Sequence, residues 1–77
     1  MAVVAGDRVI ARSWAGEFER RAITGVVEGH NFPVVWICTS EEWEAARKEH
    51  RDPVGLPWPA EDVAEDRPNG QSSELVN

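Results

Sequence analysis

The segment Phe32–Cys38, which reads FPVVWIC, constrains the fold of this chain more than any other segment. Successive side chains of a β-strand point to opposite faces of a sheet, and here the residues of both faces are apolar. A strand of this kind is normally covered on both sides. We therefore predict a buried strand over Phe32–Cys38, with a curled sheet on one side and a further element packed on the other.

An α-helix is predicted directly after this strand, over Ser40–Glu49. Thr39 and Glu42 have the spacing of a capping box, in which each side chain bonds to the backbone N–H of the other residue. Four residues then recur at the spacing of one helix face, namely Trp43, Ala46, Arg47 and His50. We expect this face to cover the outer side of the buried strand, with Trp43 docked near Trp36.

Two further strands are predicted before the buried one. Asp7–Trp14 alternates apolar and charged residues, and Phe18–Val27 is rich in β-branched residues. A short turn around Gly16 separates these two strands. Gly25 interrupts the alternation of the second strand, which indicates a β-bulge or a bend at that point.

The C-terminal part of the chain divides into a closing segment and a tail. Val54–Val63 contains too many prolines for a central strand, which favours a short edge strand, one turn of 3₁₀ helix and closure of a small barrel by Val63. Residues 64–77 are polar and have no periodicity. We therefore predict one domain over residues 1–63 and a disordered acidic tail over residues 64–77.

This order of elements, with a helix inserted before the closing strand, resembles the SH3-like small barrels, which include KOW and Tudor-like modules. Gly6–Val9 resembles the first strand of many bacterial SH3-like domains. Gly55–Val63 resembles the closing segment of eukaryotic SH3 domains, where a proline precedes a 3₁₀ turn and a final valine. The resemblance implies a mainly β SH3-like barrel with one α-helix. The chain lacks the tyrosine-rich motif and acidic specificity loop of peptide-binding SH3 domains, so binding of proline-rich peptides is not implied.

A second resemblance lies in the central and C-terminal parts of the domain. The pattern VWICTSEEWEAA, followed by RDP and PAEDV, is similar to short uncharacterised proteins of actinobacteria and their phages. The similarity spans residues 6–63. It implies an SH3-like fold and a phage-encoded or host-regulatory setting.

The cellular compartment is predicted from cysteine usage and hydropathy. Cys38 is the single cysteine, so no disulfide can form within the chain, which is typical of a reducing compartment. The N-terminal residues lack the basic and apolar regions of a signal peptide, and no run of about 18 apolar residues is present. We expect a soluble, cytoplasmic protein that does not enter a membrane.

Neither catalysis nor cofactor binding is predicted. Cys38, His30 and His50 do not have the spacing of a metal-binding motif. Nothing in the sequence places a histidine beside the thiol as a base, so Cys38 is interpreted as a small buried apolar residue. The paired carboxylates lie where a helix or turn begins, which is a position that acidic residues favour. The chain is therefore predicted to be non-enzymatic, without a metal or cofactor.

The predicted function is protein–protein interaction. The chain contains 4 tryptophans, which are the candidates for the core, but a domain of about 60 residues hides only two or three such rings. Trp14 at a strand end and Trp58 between two prolines are predicted to be the least hidden. Tryptophan and arginine dominate binding energy at interfaces. The candidate contact residues are Trp14, Arg12, Arg20 and Trp58.

Three alternatives use other surfaces. An open edge strand would allow a β-augmented homodimer. A KOW-like nucleic-acid-binding module would use outward-facing arginines beside Trp14, namely Arg8, Arg12, Arg20 and Arg21. The net charge of −6 disfavours that alternative, because an acidic protein is repelled by phosphates. An acidic DNA mimic would instead use Glu41, Glu42 and Glu44.

Overall fold

Five strands and one α-helix lie within residues 3–66, which are the part of the chain described by the computed structural model. In chain order the elements are β1 (Arg8–Ser13), β2 (Gly16–Glu28), β3 (Pro33–Cys38), α1 (Ser40–Glu49), β4 (Leu56–Pro59) and β5 (Val63–Glu65). One turn of 3₁₀ helix, Ala60–Asp62, separates β4 from β5. The predicted mainly β fold with one α-helix is confirmed, and so are the bounds of the helix.

The strands form one antiparallel sheet with the order β4-β3-β2-β1-β5. Consecutive strands pair from β1 to β4, and β5 returns to the far edge to pair with β1. Val63 lies opposite Ala11 of β1, and β4 and β5 occupy opposite edges. The sheet is therefore not closed into a barrel by Val63, because the 3₁₀ turn directs β5 towards β1 and away from β4.

The ordered part of the sheet continues beyond the boundary predicted at Val63. Ala64 and Glu65 belong to β5, and the Asp66 N–H donates to the Arg8 carbonyl at 3.1 Å. The tail was predicted over residues 64–77, and its remaining part, residues 67–77, lies outside the described residues.

The core consists of small aliphatic side chains on one face of the sheet. Its members are Val3, Val9, Ala11, Ala22, Val35, Ile37 and Val63. The predicted tryptophan core is wrong, since none of the four tryptophans is fully buried. Trp58 packs against this cluster while remaining half-buried. The small aliphatic side chains fill the core, and the large rings lie at its margins.

The bulge predicted at Gly25 is confirmed. The register between β2 and β3 shifts between Ala22 and Val26. The N-terminal segment crosses the strand here, and a Cβ atom added at Gly25 would lie 2.6 Å from the Val3 carbonyl oxygen. Glycine is therefore required by the close approach of another backbone.

The α1 cap uses one half of the predicted capping box. Thr39 Oγ1 accepts from the Glu42 N–H at 3.0 Å, as predicted. The Glu42 carboxylate does not complete the box, because it accepts from Arg51 and from the Val54 N–H instead. The helix ends in the left-handed conformation of His50, at φ 54°.

The helix packs beside β2 rather than over the middle of β3. Its main contacts with the sheet are made to β2, including an ion pair of 3.9 Å between Glu44 and Arg21. Trp43 lies beside Gly6, where an added Cβ atom would be 3.4 Å from the indole ring. The outer side of Trp36 remains 39% exposed.

The prediction that both faces of β3 are covered is therefore only partly correct. Val34 and Cys38 on the outer face are buried, whereas Trp36 between them is exposed. The predicted position of Trp43 near Trp36 is replaced by its position beside Gly6. The physical reason is that α1 begins immediately after β3 ends, so the helix covers the end of the strand and leaves its middle open.

The contrast between Trp43 and Trp14 yields a stability prediction. Trp43→Ala removes a half-buried ring from between α1 and the N-terminal segment, so we expect the free energy of unfolding to fall by about 2–4 kcal/mol. Trp14 is 98% exposed, and Trp14→Ala should change the free energy of unfolding by less than about 0.5 kcal/mol. Urea denaturation measures both values. Equal midpoints for the two variants would contradict the packing of Trp43.

Candidate interaction groove

Strand β2 extends beyond the strand beside it. β3 ends at Cys38, which lies opposite Arg21, while β2 continues back to Gly16. On that side Gly16–Arg20 has no strand partner within residues 3–66, although β1 pairs with it on the other side. The first part of β2 therefore presents an open strand edge at the point where β3 ends.

A groove of about 280 Å³ lies along this open edge. Phe18 and Arg20 of β2 line one side, and Val54 and Leu56 line the other side at the start of β4. Trp58 contributes to the lining from within β4. The groove thus occupies the space between two strands that are both neighbours of β3.

The strand register explains why apolar residues line this groove. Ala11 of β1 lies opposite Phe18, and Val9 lies opposite Arg20. Val9 and Ala11 point into the core, so Phe18 and Arg20 share the core face of the sheet. Phe18 is 39% exposed and Leu56 is 49% exposed on this face. Apolar side chains beyond the edge of the core are therefore left in contact with solvent.

Arg20 places a positive charge at the groove. Its guanidinium lies 5.4 Å from the centroid of the Phe18 ring, which is the geometry of a cation–π contact. Its Nη1 donates to the Glu19 carbonyl at 2.7 Å. Within the described part of the chain, no carboxylate forms an ion pair with Arg20. The groove therefore combines an apolar surface with one cation that has no ion pair to another residue within 3–66.

Hydrogen bonds to Glu42 fix the position of the segment before β4, which lines the groove on the side opposite β2. The Glu42 carboxylate accepts from Arg51 Nη1 at 2.6 Å and from the Val54 N–H at 2.8 Å. The hydrogen bond from Arg51, followed by that from Val54, holds the pKa of Glu42 below its usual value. These bonds tie the segment before β4 to α1. The side chain of Val54 is consequently presented at the groove while its backbone is fixed.

The structure brings together two of the four predicted contact residues. Arg20 and Trp58 both line the groove. The Trp58 indole N–H also donates to the Arg12 carbonyl at 3.1 Å, which gives this ring a structural role. The Arg12 side chain lies on the opposite face of β1, across from Glu17. Trp14 is exposed in the turn between β1 and β2, and neither Arg12 nor Trp14 lines the groove.

The predicted single surface of four arginines is wrong. Arg8, Arg12 and Arg21 share the outer face of the β1–β2 pair, whereas Arg20 points to the core face. Arg20 and Arg21 are adjacent in a strand and must point to opposite sides, so the alternation of side chains already excluded a common surface. Arg8 pairs with Glu19 at 3.5 Å.

The acidic residues of α1 are also partly paired. Glu42 forms an ion pair with Arg51, and Glu44 forms one with Arg21. These pairs reduce the negative field of the helix on the surface that a DNA mimic would use. Of the three glutamates named for that hypothesis, Glu41 alone has no ion pair to another described residue.

Sequence reasoning missed Phe18, Val54 and Leu56 as groove residues. The sequence predicts Phe18 only as a residue of β2. Phe18 and Arg20 are two residues apart in this strand, so their side chains point to the same face, and this spacing was the signal that could have identified Phe18. The absence of a neighbouring strand at this point depends on where β3 ends in space. No local pattern in the sequence reports which residue of β2 lies opposite that end.

A second apolar hollow, of about 260 Å³, lies on the outer face of β3. It is lined by the exposed rings of Phe32 and Trp36, together with Pro57 and Pro59 of β4. It is remote from the open edge of β2 and contains neither Arg20 nor another residue predicted for partner contact. The groove is therefore the site at which apolar surface, charge and unpaired backbone occur together.

Cys38 is among the residues that line the groove, and it is buried. Burial raises the pKa of the Cys38 thiol, Glu42 raises it further, and Arg21 lowers it. Across the described residues, no three His, Cys, Asp or Glu side chains gather as a metal site would require. The Cys38 thiol therefore does not have the lowered pKa of an activated cysteine nucleophile.

The burial and raised pKa of the Cys38 thiol predict how fast it reacts with an alkylating reagent. A raised pKa means that the thiolate forms only at higher pH, so Cys38 should react with iodoacetamide more slowly in the folded protein than in urea. Mass spectrometry of the alkylated chain at about pH 8 measures both rates. Similar rates in the two states would contradict the burial of Cys38.

Comparisons with models of protein families, with curated proteins and with solved structures gave no match. No helix within residues 3–66 combines the length and apolar character needed to cross a membrane.

Proposed function

We propose that this chain is a non-enzymatic interaction module that binds a protein partner in the groove between β2 and the start of β4. The observation that carries the proposal is the exposure of Phe18 and Leu56 on the core face of the sheet, beside an open strand edge. Exposed apolar surface in a concave site favours burial by a partner. Arg20 adds a cation that can orient that partner.

We expect the affinity for the partner to come from aromatic residues at the margin of the core. Phe18 carries the main contact, since its ring is exposed and Arg20 stacks on it. Trp58 supports the base of the groove, and its hydrogen bond to the Arg12 carbonyl holds the ring in place. A fixed aromatic surface loses little conformational entropy when a partner binds.

The proposed fold family is the SH3-like small barrel. Support comes from the strand order, in which consecutive strands pair and β5 returns to β1, and from the 3₁₀ turn Ala60–Asp62 before the last strand. The resemblance of Gly55–Val63 to SH3 closing segments agrees with this relationship. The cytoplasmic location and the phage or host-regulatory setting remain predictions from the sequence.

The proposed function is tested by serine substitution of two exposed phenylalanines, one that lines the groove and one that does not. Peptides selected from a random display library against the wild-type protein should bind Phe18→Ser at least about tenfold more weakly, because this ring lines the groove. Phe32→Ser is the control, since Phe32 is similarly exposed but lies at the other hollow. Binding is measured by fluorescence anisotropy after thermal melts show that both variants fold.

Three outcomes would overturn the proposal. Selection of no peptide would show that the groove does not bind protein segments. If Phe32→Ser weakens peptide binding and Phe18→Ser does not, the peptide binds in the hollow on the outer face of β3 and not in the groove. A gel shift with single-stranded or duplex nucleic acid that weakens steeply with salt would favour the KOW-like alternative.

A further inference from the structure

We infer that the partner binds by β-augmentation, as a strand added along Glu17–Arg20 of β2, with apolar residues facing the groove and basic residues facing outward. The inference rests on the proposed function and adds the conformation and chemistry of the partner. The partner is a segment of another protein rather than a second copy of this chain.

The backbone of β2 supplies hydrogen-bonding groups at this edge. The Gly6 N–H donates to the Ala22 carbonyl, and the Ala22 N–H donates to the Asp7 carbonyl, so the polar groups of Ala22 point towards the N-terminal side. Backbone groups alternate in direction along an antiparallel strand. The N–H and C=O groups of Glu17 and Glu19 consequently point the other way, towards the groove.

The space beside this edge lies where β3 would continue. β2 and β4 are the two neighbours of β3, and β4 begins at Leu56 opposite Ile37, so the segment before β4 borders this space. β3 vacates that space at Cys38, where the chain turns into α1. An added strand would therefore continue the position of β3 in the sheet.

Arg20 protects the open edge when no partner is bound. Its Nη1 bonds to the Glu19 carbonyl, which is one of the groups that point towards the groove. Charged side chains at a strand edge reduce uncontrolled pairing with other chains. Because Arg20 is a cation on the groove face, a basic residue of the partner would be repelled there.

The two faces of the edge require different residues from the partner. On the groove face, Phe18 and Leu56 present apolar surface. On the outer face, Glu17 and Glu19 point away from the core, and Glu19 already pairs with Arg8. The alternating side chains of one strand can meet both needs only if apolar and basic residues alternate. The net charge of −6 also favours a basic partner.

A second copy of this chain does not satisfy these requirements. When two copies of the edge pair antiparallel about a two-fold axis, registers centred on Glu17, Phe18 or Glu19 place a glutamate of one copy opposite a glutamate of the other. The register centred on Arg20 places Arg20 of one copy opposite Arg20 of the other. Like charges directly opposite one another destabilise a sheet. The edge formed by β4 is also unsuited to pairing, because Pro57 and Pro59 have no N–H to donate.

The first test compares peptides of one composition. A peptide of about seven residues with alternating valine and lysine should bind the wild-type protein at least about tenfold more tightly than a peptide with the valines and lysines in two blocks. An alternating valine and glutamate peptide should bind more weakly than either. Equal affinity for the alternating and block peptides would overturn the inference.

The second test places N-methyl groups on the alternating peptide. N-methylation of alternate residues removes the N–H groups along one edge of the peptide, and the two possible sets remove opposite edges. Methylation of the residues whose N–H groups face β2 should lower affinity at least about tenfold more than methylation of the other residues. Phe18-dependent binding that is equally strong with both methylated peptides would reject strand addition while leaving the proposed function intact. Binding that does not depend on Phe18 would reject the proposed function itself.

The third test reverses one charge at the edge. Glu17→Lys should weaken binding of the valine–lysine peptide about two- to fivefold and strengthen binding of the valine–glutamate peptide. Glu28→Lys is the matched control, because Glu28 is an exposed glutamate at the opposite end of β2. Equal effects of the two substitutions would indicate net charge rather than the edge. Sedimentation of the free protein as a dimer that Glu17→Lys disrupts would assign the edge to self-association and overturn the inference.

Discussion

The mismatch in length between β2 and β3 determines what this domain presents to other molecules. β2 needs its first residues to pair with β1 across the hairpin that closes at Ser13 and Gly16. β3 stops at Cys38, because the chain enters α1 through the Thr39 cap immediately afterwards. One side of β2 is consequently paired along the hairpin and the other side is open, which leaves both backbone groups and the ring of Phe18 available.

The small size of the core reinforces this outcome. Valine and alanine occupy the fully buried positions, and they fill the space between β1, β2 and β3 without using the large rings. Phe18, Leu56 and Trp58 then lie at the margin of the core. The Glu42 cluster holds the segment before β4 against α1, so the margin keeps the shape of a groove.

Predictions that depend on neighbouring residues were reliable. The capping interaction of Thr39 with the Glu42 N–H, the bulge at Gly25 and the 3₁₀ turn after Pro59 all follow from the chemistry of a few consecutive residues. The predictions that failed concern the position of one element against another, such as Trp43 relative to Trp36. Side-chain parity was available locally, and its neglect led to the incorrect placement of Arg20 on the outer face.

The sequence by itself determined the presence and order of the strands and the bounds of the helix, because hydrogen-bonding residues, glycines and prolines act on the backbone nearest to them. It also determined the acidic charge of the chain and the single thiol. Only the tertiary structure decided that the sheet stays open, that Trp36 is left uncovered and that Phe18, Arg20 and Leu56 share a groove. These features depend on where distant strands end relative to one another, and packing across the sheet sets those positions.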